Sequence, residues 1–133
     1  MKERFSLKLT LNTLSIVGFG LGSLFVPQLF WASFGIDLSP TGEVVVRMAG
    51  GVVTGNVILS WLVRNAPDSP LRQAVVLDFF VAWGLVFVVA LLGQLAGVTN
   101  ALGWFTVGLA LVWTLVMGRL RFGAQAARHS DAA

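Results

Sequence analysis

The feature that most constrains this chain is residues 79–118, where 40 consecutive residues carry no formal charge. The hydrocarbon layer of a bilayer is about 30 Å thick and a helix rises about 1.5 Å per residue, so roughly 20 apolar residues cross it once. The stretch is too long for one crossing. Gly97 can end a helix, and Thr99 or Asn100 can cap the next one. The sequence therefore predicts two antiparallel helices joined by a short turn.

Two further apolar stretches, each long enough for one crossing, precede this one. Hydrophobic residues make up 56% of the 133 residues and charged residues 11%, whereas soluble domains carry about 25% charged residues. A soluble domain of this size has too little interior to bury so much apolar surface. The prediction is one all-α domain, an integral membrane four-helix bundle over residues 1–133. Its spans are predicted at about residues 6–26, 41–63, 71–96 and 100–120, followed by a polar cytoplasmic tail at residues 121–133.

The connection between the first two spans, residues 27–40, is too aromatic for a solvated loop. It contains Phe30, Trp31 and Phe34, which are typical of a short helix lying at a membrane interface. Ser39 followed by Pro40 indicates the start of the second span, with the serine as N-cap and the proline in the first turn.

Basic residues determine the predicted orientation. Arg47 alone lies toward one side of the predicted spans. Because lysine and arginine concentrate in cytoplasmic segments, both termini are predicted to be cytoplasmic. The eight residues on that side are Lys2, Arg4, Lys8, Arg64, Arg72, Arg119, Arg121 and Arg128.

Glycines spaced four residues apart occur in three of the spans. Such pairs let helix backbones approach closely in lipid. They predict tight packing within the chain, or alternatively a dimer interface on one of the faces. The pairs are Gly18 with Gly22, Gly51 with Gly55, and Gly93 with Gly97, and Gly20 and Gly50 widen the first two faces.

Polar residues inside membrane spans are costly and therefore candidates for ligand binding. An outer layer is predicted from Glu43 and Arg47, which can pair at i, i+4 on one helix, together with Gln94. This layer has two interpretations. It is either a set of hydrogen-bonded groups that fixes how the helices pack, or a small pocket for a lipid headgroup, a quinone, a proton or an ion.

An inner layer is predicted from Asn12, Asn56 and Asp78, with Lys8 one turn before Asn12 on the same face. Asp78 can pair with Lys8 or accept hydrogen bonds from the asparagines. The same two interpretations apply, and a buried carboxylate without a cation would have a raised pKa and could carry a proton.

Several classes of chemistry have no support in the sequence. The chain has no cysteine, and its only histidine, His129, lies in the polar tail, which argues against haem, thiolate and metal chemistry in the spans. No serine or threonine in the spans has a histidine beside it, and no glycine-rich phosphate loop follows a strand. We therefore predict no metal and no cofactor. The basic residues flank apolar runs, so lipid rather than nucleic acid explains the net charge of +3.

Three segments carry a family resemblance: residues 47–51 (Arg-Met-Ala-Gly-Gly), residues 59–64 (Leu-Ser-Trp-Leu-Val-Arg) and residues 101–104 (Ala-Leu-Gly-Trp). Over most of residues 10–120, the chain resembles small bacterial four-span proteins of unknown function, broadly the DoxX-type families. The resemblance implies a multi-pass protein of the bacterial inner (plasma) membrane. Some DoxX-type members look like partners of quinone-linked oxidoreductases, which implies an electron-transfer partner but assigns no residue. The absence of cysteine argues against a thiol-based version.

Three hypotheses for function follow. The first is a non-catalytic membrane subunit or scaffold that binds a membrane protein partner or a second copy of itself. The second is binding or transport of a small molecule through one of the two polar layers. The third is a lipid-modifying enzyme that uses Asp78 or Glu43 as acid or base.

Overall fold

The computed structural model describes residues 2–130, and within α1 and α5 it describes side chains from residue 3 to residue 123. This part of the chain is all-helical, as predicted. Four of the helices are long and apolar enough to cross a membrane. The helices are α1 (Lys2–Phe25), α2 (Pro27–Ala32), α3 (Pro40–Val63), α4 (Pro70–Leu95) and α5 (Gly103–Ser130).

The chain divides into two compact units. Unit 1 is Met1–Pro67 and contains α1, α2 and α3, whereas unit 2 is Asp68–Ala133 and contains α4 and α5. The two long helices of each unit pack against each other as an antiparallel hairpin. The chain that the sequence predicts as one domain is therefore built from two helical hairpins.

In unit 1, α1 and α3 approach each other most closely at two glycines. A Cβ atom placed on Gly50 would lie 2.8 Å from the Leu24 nitrogen and 3.0 Å from the Gly20 carbonyl oxygen. A Cβ atom placed on Gly20 would lie 2.9 Å from the Thr54 hydroxyl oxygen. Only glycine fits at these two positions, because any side chain would push the two backbones apart.

The aromatic connection forms the short helix α2, as the sequence predicts, and its rings pack on protein. The Phe30 ring lies 5.3 Å from the Phe19 ring of α1, and the buried Phe34 ring lies 5.4 Å from Phe30. Trp31 donates from its indole nitrogen to the Ser23 hydroxyl at 3.1 Å. Gly35, with a φ of 80°, turns the chain toward α3. The cluster fastens the connection to the end of α1.

The N-terminus of α3 confirms the predicted cap. The Ser39 hydroxyl accepts a hydrogen bond from the Gly42 backbone nitrogen at 3.1 Å, and Pro40 occupies the first turn. The same arrangement begins α4, where Ser69 accepts from the Arg72 nitrogen and Pro70 follows. Two of the long helices thus begin with serine followed by proline. The serine hydroxyl accepts a hydrogen bond from a backbone N–H that has no partner within the helix, and proline has no backbone N–H that needs one.

Unit 2 is held together by large side chains. The buried residues on the two helices fall at helical spacing, and Trp83 stacks on Trp113 with ring centroids 6.4 Å apart. The buried stripes are Val75, Val76, Phe79 and Trp83 on α4, and Val107, Ala110, Trp113 and Met117 on α5.

The turn between α4 and α5 confirms the predicted break at Gly97. This glycine has a φ of 70°, and the Val98 nitrogen donates to the Gly93 oxygen at 3.0 Å, which closes a Schellman motif. The predicted start of the last helix is early, because α5 begins at Gly103 rather than Asn100. The Asn100 side chain instead accepts from the Leu102 nitrogen at 2.9 Å and forms a turn. α5 then continues to Ser130, through most of the predicted tail, and residues 131–133 lie outside the described chain.

Candidate functional site

The outer polar residues Glu43 and Arg47 form an ion pair, as the i, i+4 spacing predicts. Arg47 Nη2 lies 2.8 Å from Glu43 Oε1, and Arg47 Nε donates to the same oxygen at 3.2 Å. Gln28 Nε2 donates to Glu43 Oε2 at 3.2 Å and to the Leu38 carbonyl oxygen at 3.1 Å. Gln28 was not predicted from the sequence. Its only signal was a long polar side chain on the connection, at the outer end of the predicted spans.

Arg47 also reaches the end of α1. Its Nη1 donates to the Leu24 carbonyl oxygen at 2.6 Å. The last carbonyls of a helix lack partners within that helix and carry partial negative charge, so a guanidinium is well matched to them. The cluster of Gln28, Glu43 and Arg47 thus fastens α1, the connection and α3 together.

Gln94 belongs to unit 2 and has a local role there. Thr99 donates from its hydroxyl to Gln94 Oε1 at 2.6 Å, and Gln94 Nε2 donates to the Asn100 carbonyl oxygen at 3.3 Å. A Cβ atom on Gly103 would collide with Gln94 and Thr99. Gln94 therefore braces the turn between α4 and α5.

The inner polar residue Asn12 is fully buried and lies in a hydrogen-bond network between α1 and α3. Asn12 Nδ2 donates to Ser60 Oγ at 3.2 Å, and Thr13 Oγ1 donates to the same oxygen at 3.0 Å. Ser60 Oγ in turn donates to the Leu9 carbonyl oxygen at 3.2 Å. These buried polar groups satisfy one another, as such groups must away from water.

Two residues of this network, Thr13 and Ser60, were not identified from the sequence. The available signal was position, because Ser60 lies near the end of the second predicted span and Asn12 near the start of the first, which places both toward the same end of an antiparallel pair. Asn56, which was predicted in this layer, is half-buried and forms no hydrogen bond with Asn12 or Ser60 among the described residues. Asp78 lies at an exposed position on α4 of unit 2.

The glycines predicted for packing divide into two groups. Gly22 contacts Phe30, since a Cβ atom on Gly22 would lie 2.5 Å from that ring. The other five are open, because a Cβ atom placed on any of them would meet nothing within 4 Å, and Gly97 serves the turn through its positive φ. Those five are Gly18, Gly51, Gly55, Gly93 and Gly97.

Each unit has an open groove. In unit 1, a groove of about 500 Å³ lies between the start of α1 and the end of α3, opposite the Gln28–Glu43–Arg47 cluster, and its polar lining includes Glu3, Ser6, Arg64 and Asn65. In unit 2, a mostly apolar groove of about 400 Å³ runs beside Phe80 and Gly118. Within the described residues, no group of three or more histidine, aspartate or glutamate side chains is placed to hold a metal ion.

Comparison with protein-family models, with curated proteins and with solved structures found no match to this chain. The DoxX-type resemblance therefore stays a prediction. The class that the fold defines is an all-helical protein with four apolar helices of membrane-spanning length.

Proposed function

We propose that this chain is a multi-pass protein of the bacterial inner membrane, a four-helix bundle with both termini in the cytoplasm. We propose further that it is a non-catalytic subunit or scaffold that binds a membrane protein partner. The long apolar helices and the basic residues beside them support insertion and orientation. An exposed seam along α3 supports partner binding.

The α3 seam is a line of exposed residues on α3 that are separated by alternately four and three positions in the sequence. Gly51 and Gly55 lie at its centre, and apolar side chains flank them on both sides. This spacing keeps one line of residues on the same face of a helix over its whole length. The seam consists of Val44, Met48, Gly51, Gly55, Ile58 and Leu62.

The seam has the properties of a contact surface for another transmembrane helix. Lipid offers helices no hydrophobic reason to associate, so association depends on close packing, which central glycines permit. α3 is also the long helix with the least burial, since only 11% of its most apolar stretch is buried. Its polar residues Arg47 and Ser60 are already engaged with α1. The remaining face is apolar and has room for a partner backbone.

The test is co-purification from membranes after mild detergent extraction, with cross-linking in the intact membrane beforehand. The seam variant Gly51→Leu/Gly55→Leu should recover about tenfold less partner, because two leucines would hold the partner backbone away. Gly108→Leu is the matched control, since Gly108 is also helical, exposed and open. The mass of the complex distinguishes a different protein from a second copy of this chain.

Two results would contradict the proposal. One is a wild-type chain that elutes alone, without a partner and without self-association. The other is unchanged recovery of the partner by the seam variant. Orientation is tested separately by reporter fusions at each end, and termini on opposite sides of the membrane would contradict it.

A further inference from the structure

The groove of unit 1 brings together two opposite charges. The Glu3 carboxylate comes from the first turn of α1, and the Arg64 guanidinium comes from the residue directly after α3. The ion pair that the described part of unit 1 does contain, Glu43 with Arg47, involves neither of them. Glu3 and Arg64 therefore line one groove of about 500 Å³ without forming an ion pair with each other.

Arg64 is held in place by its neighbours on the chain. Its guanidinium carbon lies 3.4 Å from the centre of the Trp61 ring, and its Nη1 donates to the Trp61 carbonyl oxygen. Stacking on an aromatic ring and a backbone hydrogen bond together restrict a side chain that is otherwise mobile. The other guanidinium nitrogens remain as donors at a defined position, which is a favourable arrangement for binding a phosphate.

Two neutral groups of the groove complement this cation. Ser6 donates from its hydroxyl to Asn65 Oδ1 at 3.0 Å, which fixes the amide. With its oxygen engaged, Asn65 presents its Nδ2 hydrogens as donors. Thr10 adds a hydroxyl to the lining one turn further along α1. Donors from Arg64 and Asn65 thus accompany an acceptor carboxylate at Glu3.

We propose that this groove binds the headgroup of an aminophospholipid. Its phosphate would contact Arg64 and Asn65, and its primary ammonium would contact Glu3. A simple anion fits less well, because the Glu3 carboxylate would repel it. A choline headgroup also fits less well, because a quaternary ammonium has no N–H to donate to a carboxylate.

The position of the groove fits a lipid rather than a free metabolite. It lies where two apolar helices begin and end, and the exposed Leu7 belongs to its lining. Trp61, about half exposed, lies beside it, and tryptophan is enriched at the level of lipid headgroups. The inference rests on the proposed membrane insertion, with this end of unit 1 at the cytoplasmic leaflet.

The experiment uses the full chain in nanodiscs of phosphatidylcholine into which phosphatidylethanolamine or phosphatidylglycerol is titrated. Native mass spectrometry counts the lipids that remain bound after release. The wild-type chain should retain phosphatidylethanolamine over the other two lipids by about fivefold, as expected when one charge-assisted hydrogen bond separates them. Soluble glycerophosphoethanolamine serves as the test for a free headgroup.

Variants at Glu3 and Arg64 test the contact with the ammonium and the contact with the phosphate separately. Glu3→Gln should abolish the preference for phosphatidylethanolamine over phosphatidylglycerol while lipid is still bound. Arg64→Gln should lower retention of both lipids, and Arg64→Lys should restore it only in part, because lysine is not held in the same stacked geometry. Arg121→Gln is the matched control, since Arg121 also lies beside an aromatic ring, that of Phe122, but belongs to the lining of neither groove.

The outcomes distinguish this inference from the proposed function. A chain that enters nanodiscs but shows no lipid preference, or whose preference survives Glu3→Gln, overturns the aminophospholipid site and leaves the α3 seam untouched. Tight binding of glycerophosphoethanolamine without a bilayer identifies a free metabolite and also overturns it. A chain that stays monodisperse in buffer and does not enter nanodiscs overturns membrane insertion itself.

Discussion

Each of the two hairpins holds two long apolar helices together, but the contacts between the helices differ in kind. In unit 1, backbones meet at Gly20 and Gly50, and a buried polar network centred on Ser60 crosses the interface. In unit 2, large rings and aliphatic side chains fill the interface, with Trp83 stacked on Trp113. In the proposed lipid environment, neither interface is helped by a hydrophobic driving force between helices. Backbone contacts and hydrogen bonds therefore add to buried apolar packing in unit 1, whereas large side chains fill the interface in unit 2.

The largest effect on the free energy of unfolding is expected from a substitution at the backbone contact between α1 and α3 in unit 1. Gly50→Leu places a side chain where even a Cβ atom would lie 2.8 Å from the Leu24 nitrogen. We expect it to lower the free energy of unfolding by about 3 kcal/mol or more, because neither backbone can move aside cheaply. Circular dichroism during unfolding in mixed micelles measures this.

The neighbouring residue provides the control for Gly50. Gly51 has nothing within 4 Å of its Cβ position, so Gly51→Leu should leave the hairpin as stable as the wild type or slightly more stable. Equal destabilisation by both substitutions would show that α1 and α3 do not meet at Gly50.

The next largest effect is expected from the ring stack of unit 2. Trp113→Ala removes a buried ring and should cost about 2 kcal/mol, less than the roughly 3–5 kcal/mol in soluble cores, because in the proposed lipid environment only packing contacts are lost. Trp104→Ala on the same helix is the control, because Trp104 is 52% exposed and lies outside the buried stripe. If both substitutions lower the free energy of unfolding equally, the stacking of Trp83 on Trp113 adds no specific stability. The proposed difference between the interfaces of the two hairpins is then wrong.

A smaller effect is expected from the buried network of unit 1. Asn12→Ala removes one hydrogen bond to Ser60, and we expect a loss of about 1 kcal/mol, the usual scale for such bonds in membrane proteins. Asn56→Ala should be close to neutral. A double-mutant cycle of Asn12→Ala with Ser60→Ala measures the coupling directly, and zero coupling would show that this hydrogen bond does not hold the hairpin together.

The smallest effect is expected at the outer ion pair. Glu43→Gln should lower the free energy of unfolding only slightly, because the pair is partly exposed and accessible to solvent screening. Arg47→Gln should cost somewhat more, since it also removes the hydrogen bond to the Leu24 carbonyl oxygen. The reverse order would show that this bond does not stabilise the end of α1.

Much of the helical framework was predictable because its signals are local. Ser39 with Pro40 marked the start of α3, and Gly97 marked the end of α4. The start of α5 was predicted three residues early, because Asn100 caps a turn before the helix rather than the helix itself. The Glu43–Arg47 pair was also predictable, since both residues lie on one helix four positions apart. The contact of Asn12 with Ser60 was not, because the two residues lie on different helices and no local pattern encodes their contact.

The sequence by itself determined how many long apolar helices there are, the bounds of α3 and α4 to within about one residue, and which residues flank the helices. Length, hydropathy and cap chemistry are properties of neighbouring residues, so they can be read without knowing what a helix touches. The tertiary structure alone decided that Gly50 meets α1 while Gly51 stays open, and that Ser60 rather than Asn56 joins Asn12. Successive residues on a helix point about 100° apart, so rotation of each helix about its axis decides which of two adjacent residues forms the contact.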